Sequence, residues 1–123
     1  MPIRKGRNRN ALFKISMTAL VKLLILNMLS EKELYGNKII DNISLILNEQ
    51  WAPSPGMIYP LLRQLEDEGY IIGRWSDPVK RSTRYYKITE EGTRYLPILK
   101  KNYHGPINDS IRMLESLMVS IYS

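Results

Sequence analysis

Apolar residues recur at helical spacing in several stretches of this 123-residue chain and alternate in two others. Ser16 or Thr18 can cap a first helix that runs to about Leu29. Leu20, Leu23, Leu24 and Met28, with Val21, Ile25 and Leu26, make it apolar around most of its girth, so it needs cover on two sides. Ser30-Glu31-Lys32-Glu33 is a polar break, and Leu34-Tyr35-Gly36 leads into a second helix reaching about Asn48, with Ile39, Ile43, Ile46 and Leu47 at helical intervals. A connector containing Trp51 follows.

The third helix carries its own start and stop. Ser54 is a good N-cap, and Pro55 sits where a missing N–H costs nothing. Ile58, Leu61, Leu62 and Leu65 share one face, while Gly56, Tyr59, Pro60 and Arg63 share the other. Gly69 is a natural left-handed stop. Pro60 lies past the tolerated first turn, which predicts a distorted helix start. Residues 70–75 and 84–89, rich in aromatic and β-branched side chains, predict two strands joined by a turn that Ser76-Asp77-Pro78 opens. Alternation puts Tyr86 with Ile88 on one side and Tyr85 with Lys87 on the other.

Thr89 can cap a fourth helix, with Glu90 and Glu91 at its positive end. Pro97 is expected to bend it and Gly105-Pro106 to interrupt it. Ile107, Ile111, Leu114, Met118 and Ile121 repeat at intervals of four and three, the pattern of a helix packed along another helix. Leu99 and Tyr103 extend that seam upstream. A second subunit is its expected cover; folding back on its own domain is the plainer alternative.

Three helices and then a hairpin is the order of a winged helix-turn-helix. The expected fold is mainly α with a two-stranded β-wing. It divides into a basic arm at 1–15, a winged helix at 16–92 and a dimerisation helix at 93–123.

Charge sharpens this. Eighteen Lys and Arg against twelve Asp and Glu give +6, which favours a polyanionic partner, nucleic acid ahead of an anionic membrane. The arm adds Arg4, Lys5, Arg7, Arg9 and Lys14 with no acid, either as a solvated tail or as an extra phosphate-binding segment. There is no cysteine and a single histidine, His104, so no thiolate metal site, cofactor or catalytic constellation is expected. The longest apolar run falls far short of the roughly 20 residues a membrane span requires, and a cytoplasmic protein is expected.

Arg63 on the outer face of the third helix could reach base edges or phosphate, or could pair with Glu66 or Asp67. Tyr59 is surplus to the core stripe, so contact of its hydroxyl with phosphate is favoured over packing. Ser54 and Gly56 serve the helix start structurally, and N–H groups there could also hold a phosphate. Lys80, Arg81 and Arg84 cluster at the hairpin with only Asp77 opposing them. Trp51 and Trp75 could line a pocket for a flat apolar ligand at a dimer interface, although tryptophan more often simply fills a core or an interface.

Leu34-Tyr35-Gly36, the run from Pro53 to Leu62, Leu65-Glu66 with Gly69-Tyr70-Ile71, and Arg84-Tyr85-Tyr86 with Ile88-Thr89 and Glu91-Gly92 together resemble the PadR family of transcriptional regulators over roughly residues 17–100. The resemblance implies a homodimeric winged-helix repressor of double-stranded operator DNA. Its third helix would enter the major groove, its wing would follow the backbone or minor groove, and its C-terminal helix would dimerise. Ser54, Gly56, Tyr59 and Arg63 match the recognition-helix positions. Lys80, Arg81 and Arg84 match the wing, with Tyr85 adjoining it. A winged-helix protein-interaction module that never touches DNA is the rival expectation.

Overall fold

The computed structural model describes residues 16–123; the basic arm at 1–15 lies outside the described residues. Helices α1 (Met17–Leu29), α2 (Gly36–Ile46) and α3 (Pro55–Asp67) are followed by strands and then a long helix α4 (Glu90–Tyr122). The strands are β1 (Leu34–Tyr35), β2 (Ile71–Trp75) and β3 (Arg84–Ile88), ordered β1-β3-β2 and antiparallel.

Local chemistry sets the helix starts. Ser16, Ser54 and Thr89 each accept a backbone N–H three residues on, from Ala19, Met57 and Gly92. α3 ends in a Schellman turn. Gly69, at φ 86°, donates to the Glu66 carbonyl, and Tyr70 donates to the Leu65 carbonyl. α2 closes in the same way through Asn48 and Glu49, whose N–H groups reach the Leu45 and Ser44 carbonyls.

One core joins the elements. Val21, Ile25 and Leu26 of α1, Ile39 and Ile43 of α2, and Ile58, Leu62 and Leu65 of α3 are all but removed from solvent. Ile71 and Tyr86 close the core from the sheet, and Leu96 and Leu99 close it from α4. The Tyr70 ring stacks on Tyr95 at 4.2 Å, tying the end of α3 to α4.

Three sequence expectations change. The two-stranded wing gains a third strand, because Leu34 and Tyr35 pair with Tyr86 and Tyr85 instead of only leading into α2. Pro60 does not disturb α3, which is continuous from Pro55 to Asp67. It sits on the exposed side, and the carbonyl it strands, on exposed Gly56, can bind water. Gly105-Pro106 does not interrupt α4. The residue before a proline is normally kept out of the helix partly by its own Cβ, and Gly105 has none. The Asn102 carbonyl left without its N–H partner belongs to an exposed residue.

Gly92 lies under the turn between α3 and β2. A Cβ built there would be 2.1 Å from the Tyr70 carbonyl oxygen, a backbone atom that cannot rotate away. Gly92→Ala is therefore expected to destabilise the protein by about 1–3 kcal/mol, the usual range for overpacking. Denaturant melts of the two proteins measure this; equal midpoints would contradict the packing described.

Candidate nucleic-acid interface

The buried stripe of α3 fixes which residues face outward. With Ile58, Leu61, Leu62 and Leu65 inside, Tyr59 and Arg63 are exposed on the opposite face. Facing them across an open cleft of about 570 Å³ are Trp75, Ser82, Thr83 and Arg84 of the wing. The cleft also takes in Tyr35 and Asn37 at the start of α2.

The cations around this cleft fall into two kinds. Arg63, Lys80 and Arg81 are exposed and have no ion-pair partner among the described residues. The alternative of an Arg63 pair with Glu66 or Asp67 is not realised: Glu66 is engaged elsewhere, and Asp67 forms no ion pair among the described residues. Arg84 is half-buried, and its Nη2 donates to Glu66 Oε2 at 2.9 Å. Its guanidinium also lies 5.1 Å from the Trp75 ring centre and 5.8 Å from that of Tyr86. The Gly73 N–H donates to the same Glu66 oxygen at 3.1 Å. Thus one carboxylate on α3 holds both strands of the wing, and the wing arginine nearest the helix points inward.

The wing tip is ordered by Asp77. Its Oδ1 accepts the N–H groups of Val79 at 2.9 Å and Lys80 at 3.1 Å, and its carbonyl accepts the Arg81 N–H at 2.8 Å. Arg81 is left-handed at φ 50°. The sole acid of the tip is therefore a turn-former that presents Lys80 and Arg81 outward.

Tyr59 is half engaged. Its hydroxyl donates to Asn37 Oδ1 at 3.1 Å, binding α3 to the start of α2, which leaves its oxygen lone pairs as acceptors only. Ser54 is the α3 cap and Gly56 is exposed beside it. Tyr85 faces away from the cleft. It lies edge-on to Tyr35 at 5.6 Å and under the Arg74 guanidinium at 5.2 Å, on the outer side of the sheet. Arg74 bonds Glu33 there and holds its carboxyl below the usual carboxylate range. Tyr86, on the inner side, is buried, and burial pushes its phenol up.

The two tryptophans are not brought to one site. Trp75 lines the cleft, whereas Trp51 is packed against the core. The α4 seam divides too: Leu99 is buried in the chain's own core and Tyr103 is packed against it. Ile107, Ile111 and Leu114 instead line an apolar groove of about 560 Å³ with Met17, Leu20 and Leu24. Beyond it, Met118 and Ile121 are exposed, as are Leu117 and Tyr122, which the seam did not include. Sequence reasoning missed the Glu66 anchor and the Asn37 partner of Tyr59, for neither of which the sequence carries a local signal.

The profile of the transcriptional regulator PadR-like family matches residues 25–97. The negative transcriptional regulator PadR of Bacillus subtilis is 29% identical over 109 residues, covering 84% of this chain and 58% of that protein. A transcriptional regulator from Clostridium thermocellum superposes with a TM-score of 0.64 at 25% identity, over 85% of this chain and 95% of the other. Bacillus subtilis PadR, solved in complex with operator DNA, superposes with a TM-score of 0.56 at 31% identity, over 67% of this chain and 45% of that one. The chain spans only 35% to 58% of the length of three curated relatives it matches.

If Asp77 orders the tip, Asp77→Ala should speed amide hydrogen exchange at Val79 and Lys80. Asp77→Asn, which keeps an acceptor oxygen, should change it much less. Equal exchange in all three proteins would contradict the turn.

Proposed function

Because the chain belongs to the transcriptional regulator PadR-like family, we propose that it acts as a homodimeric, sequence-specific DNA-binding regulator of transcription, with repression as its mode. One observation carries the proposal. Arg63 on α3 and the Lys80–Arg81 tip offer cations with no ion-pair partner among the described residues beside a single cleft, while Glu66 on the cleft and Asp77 in the wing tip are tied up in internal hydrogen bonds. Such a surface attracts polyanions, and the exposed Asp67 and Glu68 at the other end of α3 leave its N-terminal half as the docking end.

In this reading the exposed face of α3 enters the major groove. Arg63 reads base edges, and the Tyr59 oxygen accepts from an exposed base amino group or a bridging water. Gly56, just inside the cap Ser54, offers its N–H to a phosphate at the positive end of the helix. Lys80 and Arg81 grip the backbone or enter the minor groove. Tyr85, on the far side of the sheet, supports the wing and does not touch DNA.

Dimerisation is proposed through the apolar groove between α1 and α4 together with the exposed surface of α4 from Ile111 to Ile121. A monomer would leave that apolar area in water. Two copies related by a two-fold axis would set their recognition helices ~34 Å apart, one turn of the duplex. Among the described residues no helix is long and apolar enough to cross a membrane, which fits a cytoplasmic location. A small aromatic effector has Trp75 as its strongest anchor here, stacked beside Arg84 in the cleft.

Fluorescence anisotropy with the chain's own upstream DNA, against random duplex across a salt series, tests the DNA reading. Preference for the upstream duplex is expected. Arg81→Ala should weaken both duplexes similarly and flatten the salt slope by about one unit, whereas Arg63→Ala should lose about 1–3 kcal/mol mainly on the preferred duplex. Indifference to duplex sequence would favour a protein-interaction module. For the dimer, Leu114→Glu combined with Met118→Glu should convert a two-chain species to single chains in sedimentation, with the helical signal of residues 16–105 retained. Wild-type protein sedimenting as single chains would end the dimer proposal.

A further inference from the structure

We propose that Glu66 is a specificity-determining positioning residue: by holding Arg84 inward and the Gly73 N–H on the same oxygen, it sets the wing at a fixed angle to α3 and withholds Arg84 from the DNA backbone. This rests on the DNA-reading function proposed above. The acid lies on the rim of the cleft that would face DNA, where a free carboxylate would repel phosphate. Instead its Oε2 accepts two bonds, from Gly73 of β2 at 3.1 Å and Arg84 of β3 at 2.9 Å. The strands are thereby attached to α3 on both sides of the hairpin.

The surroundings are shaped for this arrangement. Gly73 stands opposite Tyr86 in the ladder, and a Cβ at Gly73 would lie 2.6 Å from the Arg84 Nε. The absence of a side chain there is what lets the arginine lie flat across the sheet toward Glu66. Trp75 and Tyr86 flank the guanidinium with their rings. Arg84 keeps 27% of its side-chain surface exposed on the cleft, but its Nη2 is spent on Glu66. Lys80 and Arg81, only a few residues away, are exposed and have no such partner among the described residues.

Fixing the angle matters because α3 and the wing touch different parts of one duplex, and only a rigid pair can demand that both fit at once. A released Arg84 would add a phosphate contact that every sequence supplies equally. Glu66 thus favours discrimination at the expense of indiscriminate affinity.

The test compares the full-length wild type with Glu66→Gln, Arg84→Ala and the double variant, on preferred and random duplexes over a salt series. Glu66→Gln should lower the preference ratio by about tenfold, the share of a lost charge-assisted hydrogen bond. It should also steepen the salt slope by about 0.9, one added phosphate contact. Arg84→Ala should leave the slope unchanged, unlike Arg81→Ala, and the double variant should return to the wild-type slope. Amide exchange at Gly73, read by NMR without DNA, should quicken in a further variant, Glu66→Ala, which removes the acceptor oxygen that Glu66→Gln keeps. An unchanged Gly73 amide would overturn the clasp itself. Arg84→Ala flattening the slope as much as Arg81→Ala would overturn the withholding role. Wild type binding both duplexes equally, with a Gly73 amide that does respond, would instead bring down the DNA-reading function on which the role depends.

Discussion

The rotational setting of α3 is the constraint on which the rest of the molecule depends. Four apolar side chains, Ile58, Leu61, Leu62 and Leu65, are driven out of water along one side of thirteen residues. Burying each fully is worth about 1.5–3 kcal/mol, so turning the helix to present another face would forfeit more than any polar contact could return. The rotation that buries them also turns Tyr59 and Arg63 outward and brings Glu66 to the side where the wing arrives. Core and surface are thus one decision. The Schellman turn at Gly69 then sends the chain directly into β2, so the wing starts from the same helix it must work beside.

The links between α3 and its neighbours are few and of different kinds. Asn37 accepts from Tyr59 on one side, and Glu66 accepts from the wing on the other. Tyr70 on Tyr95 ties its lower end to α4. Each joins elements whose relative position the apolar core alone would leave loose, since hydrophobic burial is non-directional. Hydrogen bonds of fixed geometry supply the direction.

What could be read from the sequence follows the range of the forces involved. Caps at Ser54 and Thr89, the stop at Gly69 and the buried stripe of α3 all act within a few residues and were legible, and the first cap was narrowed to Ser16 or Thr18, of which Ser16 serves. The alternation of Tyr85 and Tyr86 was legible for the same reason. β1 was not, since a two-residue strand exists only because β3, fifty positions later, is there to pair with it. The Glu66–Arg84 bond joins a helix to a strand 18 residues on, and a basic run at a hairpin reads as uniformly outward until that partner is placed. Leu99 and Tyr103 obey the same spacing as Ile107 and Ile111, yet periodicity cannot say which wall a side of a helix meets. The break expected at Gly105-Pro106 reflects average propensities; there the glycine removes part of the clash that a proline normally imposes.

α4 is 33 residues long, about 50 Å at the usual rise, and it runs from the edge of the winged domain to the chain's far end. Pro97 and Pro106 each leave its ladder one backbone bond short. A rod with two missing rungs still carries torque but yields more easily at those points, in the manner of a sprung caliper. In the proposed dimer, give at Pro106, beyond the part of α4 that Leu96 and Leu99 fix to the core, would let the two heads accommodate small differences in the distance between half-sites.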